Sequence, residues 1–183
     1  MIQIPIAAGM AAILLAWLLF RAGASLKTKS IDWKFEAKQL FFLVNLLVIY
    51  RFTFHPFAMV DGRVQPLLFD WTTAWPFRMN LIPLVNLMDY ESARDMLINI
   101  IGNFAMFIPT GIMTPLIYKN RNTLSKVLTT GFLMSLSIEI IQLPFAVRAS
   151  DVDDLILNTA GCLAGYGLYT LGRWVKGKIH SAD

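Results

Sequence analysis

Charge is scarce in this 183-residue chain. Only 15% of its residues are Asp, Glu, Lys or Arg, against 56% hydrophobic. A soluble domain carries about 25% charged residues, so a water-facing globule is excluded in favour of a membrane-protein composition. Cysteine is nearly absent. The single Cys162 lies in an apolar run, which rules out an intrachain disulfide. There are two histidines, His55 and His180, and neither belongs to a metal motif with characteristic ligand spacing. The chain has no phosphate-cradling glycine loop, no sustained repeat and no low-complexity segment. No nucleophile–base pair is evident, and the sequence names no cofactor. The formal charge of +4 conceals an uneven distribution.

What the chain has is long apolar runs. About 20 largely apolar residues cross the hydrocarbon core. Five segments meet or approach that length: 4–20, 39–58, 96–117, 124–145 and 154–174. Residues 1–3 lack the basic side chain of a signal-peptide n-region, so 4–20 reads as a retained span. The expectation is an all-α integral membrane protein with five transmembrane helices, organised as one membrane domain over 1–183.

Basic residues collect in alternate loops. Arg21, Lys27, Lys29, Lys34 and Lys38 form a basic linker at 21–38. Lys119, Arg121 and Lys126 follow the third span, and Arg173, Lys176 and Lys178 follow the fifth. Positive residues favour the cytoplasmic side, which predicts N-out/C-in. The basic linker reads as an orientation signal and an anionic-lipid contact, not as a nucleic-acid surface. The outer side then holds loops 59–95 and 146–153, where Asp61, Asp70, Asp89, Glu91, Asp95, Asp151 and Asp153 gather.

The polar residues inside the spans share one depth. Helical rise places Arg51 and Asn103 roughly 10 Å below the outer end, Glu139 roughly 9 Å, Asn158 roughly 6 Å, and Asn99 and Gln142 roughly 5 Å. Asn99 with Asn103, and Asp154 with Asn158, are spaced i, i+4; Glu139 and Gln142 are i, i+3. Each pair therefore shares a helix face. Inward-facing, they line a polar cavity open to the outside. Arg51 and Glu139 are the ion-pair candidates, because an ionised Glu at this depth requires a partner. Amides also act as glue between membrane helices, so a purely structural role fits the same residues.

In "RASDVDDLILNTAGCLAGYG" (148–167), Ser150 and Asp153 fit a capping box, and acids suit the first turn of a helix. Three carboxylates at the rim also suit a cation or set the local field. Gly161 and Gly165 form a small-xxx-small packing face. Pro109 and Gly111 predict a break in the third span. The loop "DWTTAWPFRMNLIPLVNLMDY" (70–90) carries Trp71, Trp75, Phe77 and Tyr90. Such aromatics suit the interfacial belt, with Arg78 facing phosphate groups or the acidic rim; an ordered cover over the bundle fits equally.

"NLIPL" (80–84), "NIIGNFAMFIPTG" (99–111), "SIEIIQL" (137–143) and the 148–166 stretch together resemble the VanZ-like family over roughly 35–172. The matching positions are Asn80, Pro83, Asn99, Gly102, Asn103, Pro109, Gly111, Glu139, Gln142, Arg148, Asp151, Asp153, Asp154, Asn158 and Gly161. The resemblance implies a small multi-pass protein of the bacterial cell membrane. It also implies an association with low-level resistance to the glycopeptide teicoplanin, since the family's name-giving member is linked to it.

Three readings follow. In the first, a polar cavity of Arg51, Arg78, Asn80, Asn99, Asn103, Glu139, Gln142, Arg148, Asp151, Asp154 and Asn158 binds an amphiphile at the outer leaflet. Such a ligand is a lipid-tailed glycopeptide, a lipid-linked wall precursor or a wall polymer. In the second, the protein is an enzyme acting on such a headgroup, with Glu139 as acid or base helped by Asp153 or Asp154. In the third it is a transporter, flippase or structural protein. Transport is disfavoured because the inner half of the spans offers mainly Thr110, Thr114 and Ser125.

Overall fold

The computed structural model describes residues 1–28, 31–55, 59–60, 62–75, 78–85, 90, 92–146 and 149–180. It is built on five helices: α1 (Ile6–Thr28), α2 (Trp33–Phe54), α3 (Ala93–Ile117), α4 (Leu124–Gln142) and α5 (Val152–His180). Short strands lie between and before them: β1 (Ile2–Ile4), β2 (Met59–Val60), β3 (Arg63–Val64), β4 (Leu67–Phe69), β5 (Met79–Asn80) and β6 (Ser150–Asp151). Among the described residues there are also the 3-10 turns η1 (Trp71–Ala74) and η2 (Lys119–Arg121). Among the described residues four helices, at Ile6–Leu26, Trp33–Phe54, Ala93–Ile117 and Leu124–Gln142, are long and apolar enough to cross a membrane. The chain falls into two compact units: Met1–Met79 with Ile138–Ser150, and Asn80–Ser137 with Asp151–Asp183.

Most of the segment expected as a basic linker at 21–38 is helical instead. α1 continues to Thr28, and α2 starts at Trp33 behind an Asp32 cap that accepts from the N–H groups of Lys34 (2.9 Å) and Phe35 (3.2 Å). The physical reason is a bidentate pair across the α1–α2 hairpin. Arg21 donates through Nε to Glu36 Oε2 at 2.9 Å and through Nη2 to Glu36 Oε1, and its guanidinium stands over the Phe35 ring. Part of the expected cytoplasmic charge is thus committed to holding two helices together.

At the other end of that hairpin, β1 pairs antiparallel with β4, Ile2 opposite Phe69 and Ile4 opposite Leu67. The segment after α4 joins the same end. Asp70 N–H donates to the Pro144 carbonyl at 2.8 Å, and Ala146 N–H to the Leu68 carbonyl at 2.9 Å. Phe145 meets both Phe54 and Phe69 edge to face, and Leu67 in the same strand as Phe69 is 1% exposed. The first unit therefore gathers the N-terminus, the segment after α2 and the segment after α4 at one end.

The second unit is organised by α3 against α5. A Cβ at Gly161 would lie 1.9 Å from the Phe104 carbonyl oxygen, and one at Gly165 would lie 2.1 Å from that of Ile108. From the α3 side, a Cβ at Gly111 would lie 2.1 Å from the Cys162 carbonyl oxygen. Backbones meet here, so the Gly161/Gly165 face expected from sequence packs within the chain. The expected break at Pro109 does not occur: α3 runs unbroken through Pro109 and Pro115. A proline removes one backbone donor, but an apolar helix keeps the rest of its ladder because unpaired backbone is costly there. Packing at Gly111 fixes the turn just beyond Pro109. Tyr166 Oη donates to the Asn122 carbonyl at 3.0 Å, and Cys162 Sγ reaches the Val127 carbonyl at 3.5 Å, bringing the start of α4 onto α5.

Gly161→Ala should lower the unfolding temperature of the detergent-solubilised protein. Overpacking costs about 1–3 kcal/mol, which outweighs the roughly 1 kcal/mol that alanine gains in helix propensity. Gly167→Ala, whose Cβ meets nothing within 4 Å, should leave that temperature unchanged or raise it. Equal behaviour of the two variants in a thermal scan would refute the close-contact account.

Candidate functional site

The residues singled out from the sequence fall into two clusters, one in each unit. In the first unit, Glu139 and Gln142 are buried near the end of α4, at 7% and 4% exposure. Gln142 Nε2 donates to the Thr53 carbonyl at 2.7 Å, which locks α4 to the end of α2. Its Oε1 is buried with no hydrogen-bond donor. The Glu139 carbonyl accepts from the Ser150 hydroxyl at 2.6 Å. Arg51 is half-buried; its Nη1 donates to the His55 carbonyl at 3.3 Å and its guanidinium stands over the Phe52 ring. Arg78 is exposed, and it is occupied by protein. Nη1 donates to the Ala146 carbonyl at 2.8 Å and Nη2 to the Phe145 carbonyl at 3.3 Å, while its own carbonyl accepts from Ser150 N–H at 3.0 Å. It clamps the segment after α4. Phe77, Asp61, Asp89, Glu91 and Arg148 lie outside the described residues.

Sequence reasoning missed His55. It is fully buried, with Nδ1 3.0 Å from the Gln65 carbonyl and Nε2 2.9 Å from Tyr50 Oη. The carbonyl can only accept, so Nδ1 carries the proton and Nε2 accepts from the phenol. A histidine at the end of an apolar run carries no motif, so only the fold reveals this bridge. Asp70, in the same unit, accepts from Thr72 through both backbone N–H and hydroxyl, which holds its carboxyl below the usual range.

The second unit brings the rim acids and the amides together. The start of α5 is capped by Asp151, whose Oδ1 accepts from Asp153 N–H at 2.9 Å. The capping box expected from Ser150 and Asp153 is therefore corrected. Helix α5 begins at Val152, which makes Asp151 the residue before its first turn, and the Ser150 hydroxyl is turned to Glu139 instead. The same S-x-x-D pattern does close at the start of α3. There Ser92 Oγ accepts from Asp95 N–H at 3.1 Å and donates to its carboxylate at 2.7 Å.

The other two acids are also assigned by the fold. Both oxygens of Asp153, buried at 6% exposure, accept from Leu84 N–H at 2.9 and 3.0 Å. Leu84 has φ +69°, a left-handed conformation unusual for a branched side chain. A carboxylate on its amide holds it there. Asn80 Nδ2 donates to Asp151 Oδ1 at 3.2 Å, and Asn80 Oδ1 accepts from Ile82 N–H at 3.1 Å. Asp151 and Asp153 thus brace residues 80–84 onto the start of α5. Asp154 accepts from Asn103 Nδ2 across the α3–α5 seam, and Asn103 Nδ2 also lies 3.4 Å from Asn99 Oδ1.

One turn below Asp154, Asn158 is 1% exposed, and its Nδ2 donates to Ser135 Oγ at 2.9 Å. Its Oδ1 is buried with no donor. Helical side chains lean toward the N-terminus, so Asn158 covers the turn that carries Asp154. Tyr90 joins the cluster electrostatically. Burial first, then the charges of Asp154, Asp151 and Asp153, push its phenol above the ordinary tyrosine range. Among the described residues no group of three His, Cys, Asp or Glu is arranged to hold a metal ion.

The folded protein holds the Tyr90 proton more tightly than the unfolded chain does, so stability should decline as pH rises past the ordinary tyrosine pKa. Asp154→Asn removes one of the charges that oppose the phenolate. Subtracting the tyrosinate absorbance titration of Tyr90→Phe from that of the parent should show a late-titrating phenol that moves to lower pH in Asp154→Asn. An unmoved midpoint would place Asp154 out of electrostatic reach of Tyr90.

Comparisons with known proteins bear on the family. A family model described as VanZ/LLP1 matches residues 40–173. Protein VanZ of Enterococcus faecium is 36% identical over 93 residues, which are 51% of this chain and 53% of that protein. The matched stretch thus covers about half the length of that curated relative. No solved structure matches.

Proposed function

The chain belongs to the VanZ/LLP1 family, and from that premise we propose that it is a multi-pass bacterial membrane protein that holds an amphiphilic cell-envelope ligand at the outer leaflet. The polar cluster takes the ligand's headgroup. The exposed apolar segment beside it takes the acyl or sugar part. Lipid-tailed glycopeptides such as teicoplanin, and lipid-linked wall precursors, have that build, which ties the protein to glycopeptide resistance.

The observation that carries this reading is the brace between Asp151, Asp153 and residues 80–84. It holds Leu81, Ile82 and Leu84, each more than 60% exposed, at the start of α5, where Asp154 follows Asp153 in the chain. A segment that serves only as a cover turns such side chains inward, whereas an amphiphile requires polar and apolar surfaces side by side.

Placing the site at the outer leaflet uses five spans in the N-out/C-in arrangement, with α5 as the fifth. Its 29 residues give roughly 43 Å of helix, longer than the hydrocarbon core of about 30 Å. The N-terminus, the segment after α2 and the segment after α4 meet at one end of the first unit, which supports their sharing one side. Both oxygens of Asp153 are committed to Leu84. That favours binding over headgroup chemistry assisted by this acid.

Teicoplanin susceptibility tests the reading. A sensitive bacterium expressing the wild type should show a raised inhibitory concentration. Asp154→Asn and Asn103→Leu, present at equal membrane levels by immunoblot, should return it toward the empty-vector value. The loss of one charge-assisted hydrogen bond corresponds to on the order of tenfold weaker binding. Full protection by both variants would show that the cluster is packing alone. No protection by the wild type would sever the tie to teicoplanin.

A further inference from the structure

The far end of α5 carries surface that the outer site does not use. From Leu155 to Gly172 the helix has no charged residue, a stretch of roughly 28 Å, close to the hydrocarbon thickness of about 30 Å. Arg173 is the first charge after it, followed by Lys176 and Lys178, and the helix continues to His180. The last two turns therefore lie where the hydrocarbon ends.

These turns are two-sided. Leu168, Leu171, Val175 and Ile179 recur at helical spacing, and all four are exposed. They form an apolar stripe. On the opposite side, Thr170, Arg173 and Lys176 follow one another at three-residue spacing and share a face. Arg173 stands over the Tyr169 ring with its guanidinium carbon 5.8 Å from the centroid. Lys178 Nζ lies 4.3 Å from the centre of the Trp174 ring. A shallow depression of about 280 Å³ is lined by Thr170, Arg173 and Trp174. No acidic side chain occurs between Asp154 and His180, so the acids of α5 are confined to its first turn, at the opposite end from the basic face.

We propose that this end of α5 is a binding site for one anionic phospholipid of the inner leaflet. Arg173 and Lys176 hold the lipid phosphate at the depression, and Trp174 packs against the glycerol region. Arginine presents a planar fork of donors that matches phosphate oxygens, and lysine adds a point charge. The Thr170 hydroxyl donates to the Gly167 carbonyl at 2.8 Å, which leaves its oxygen facing the headgroup as an acceptor. The apolar stripe keeps these turns at the membrane surface, so the phosphate is presented at the height of the guanidinium. The inference rests on α5 being the fifth span. It does not rest on the ligand of the outer site, so a negative teicoplanin result leaves it standing.

The test is lipid retention by the full chain. Protein purified in a neutral detergent is given equal phosphatidylglycerol and phosphatidylcholine, and bound lipid is read by native mass spectrometry. The wild type should retain one phosphatidylglycerol in preference. Each basic side chain near an anionic headgroup contributes roughly fivefold, so R173Q/K176Q should lose on the order of thirtyfold in preference. R173K/K176R, which keeps both charges, should retain most of it. K119Q/R121Q, which removes two charges elsewhere, should match the wild type. No preference by the wild type, an unchanged preference in R173Q/K176Q, or an equal loss in K119Q/R121Q would overturn the site. Displacement of the lipid by millimolar inorganic phosphate would overturn the lipid as its occupant.

Discussion

The closeness of α5 to α3 is the constraint on which the second unit depends. Two glycines on α5, four residues apart, place its backbone against the carbonyls of Phe104 and Ile108, also four residues apart. That contact admits one register. With the register set, Asn103, next to Phe104, comes within reach of Asp154, almost two turns before Gly161. A polar bond across an apolar seam is strong where water is scarce, but it forms only if the backbones are already close. The glycines therefore do more than pack. They decide which amide meets which acid.

Three carboxylates within four residues is an expensive arrangement unless each has a donor. The fold gives each a different one. Asp151 closes the first turn of α5 and receives Asn80, Asp153 holds the amide of Leu84, and Asp154 reaches across to α3. The first two fasten the loop before α3 to the start of α5. The positive end of the helix dipole favours all three acids. The exposed Leu81, Ile82 and Leu84 belong to the segment that these acids hold, which is the basis of the proposed apolar border to the polar cluster.

The first unit solves a different problem, the joining of helix ends. Arg21 and Glu36 fasten one end of the α1–α2 hairpin. At the other end, β1, β4 and the segment after α4 share backbone hydrogen bonds over an aromatic cluster. Arg78 satisfies carbonyls of the irregular segment after α4, and Gln142 one in the last turn of α2. Buried backbone polar groups must find partners somewhere, and here two side chains that look like ligand-binding candidates supply part of that need.

The sequence by itself determined the membrane character, the helical class, the family and the approximate position of each helix, though α1 continues to Thr28 and α2 starts at Trp33 inside the expected linker. All of these follow from hydrophobic run length and from motifs in order, which are local properties. It also determined that Gly161 and Gly165 form a packing face, because small residues at i, i+4 have few other uses in an apolar helix. What only the tertiary structure decided is the assignment of partners. Ser150 and Asp153 have capping-box spacing, yet the hydroxyl turns to Glu139 and the carboxylate to Leu84. Pro109 is a helix breaker by propensity, yet α3 continues, held by its packing on α5. His55 and Tyr90 carry no motif; His55 bridges Tyr50 and the Gln65 carbonyl on either side of it in the chain, and Tyr90 is influenced by acids distant in sequence. Spacing along a helix says which side chains share a face; which donor lies opposite that face depends on how separate segments come together, and no local pattern records it.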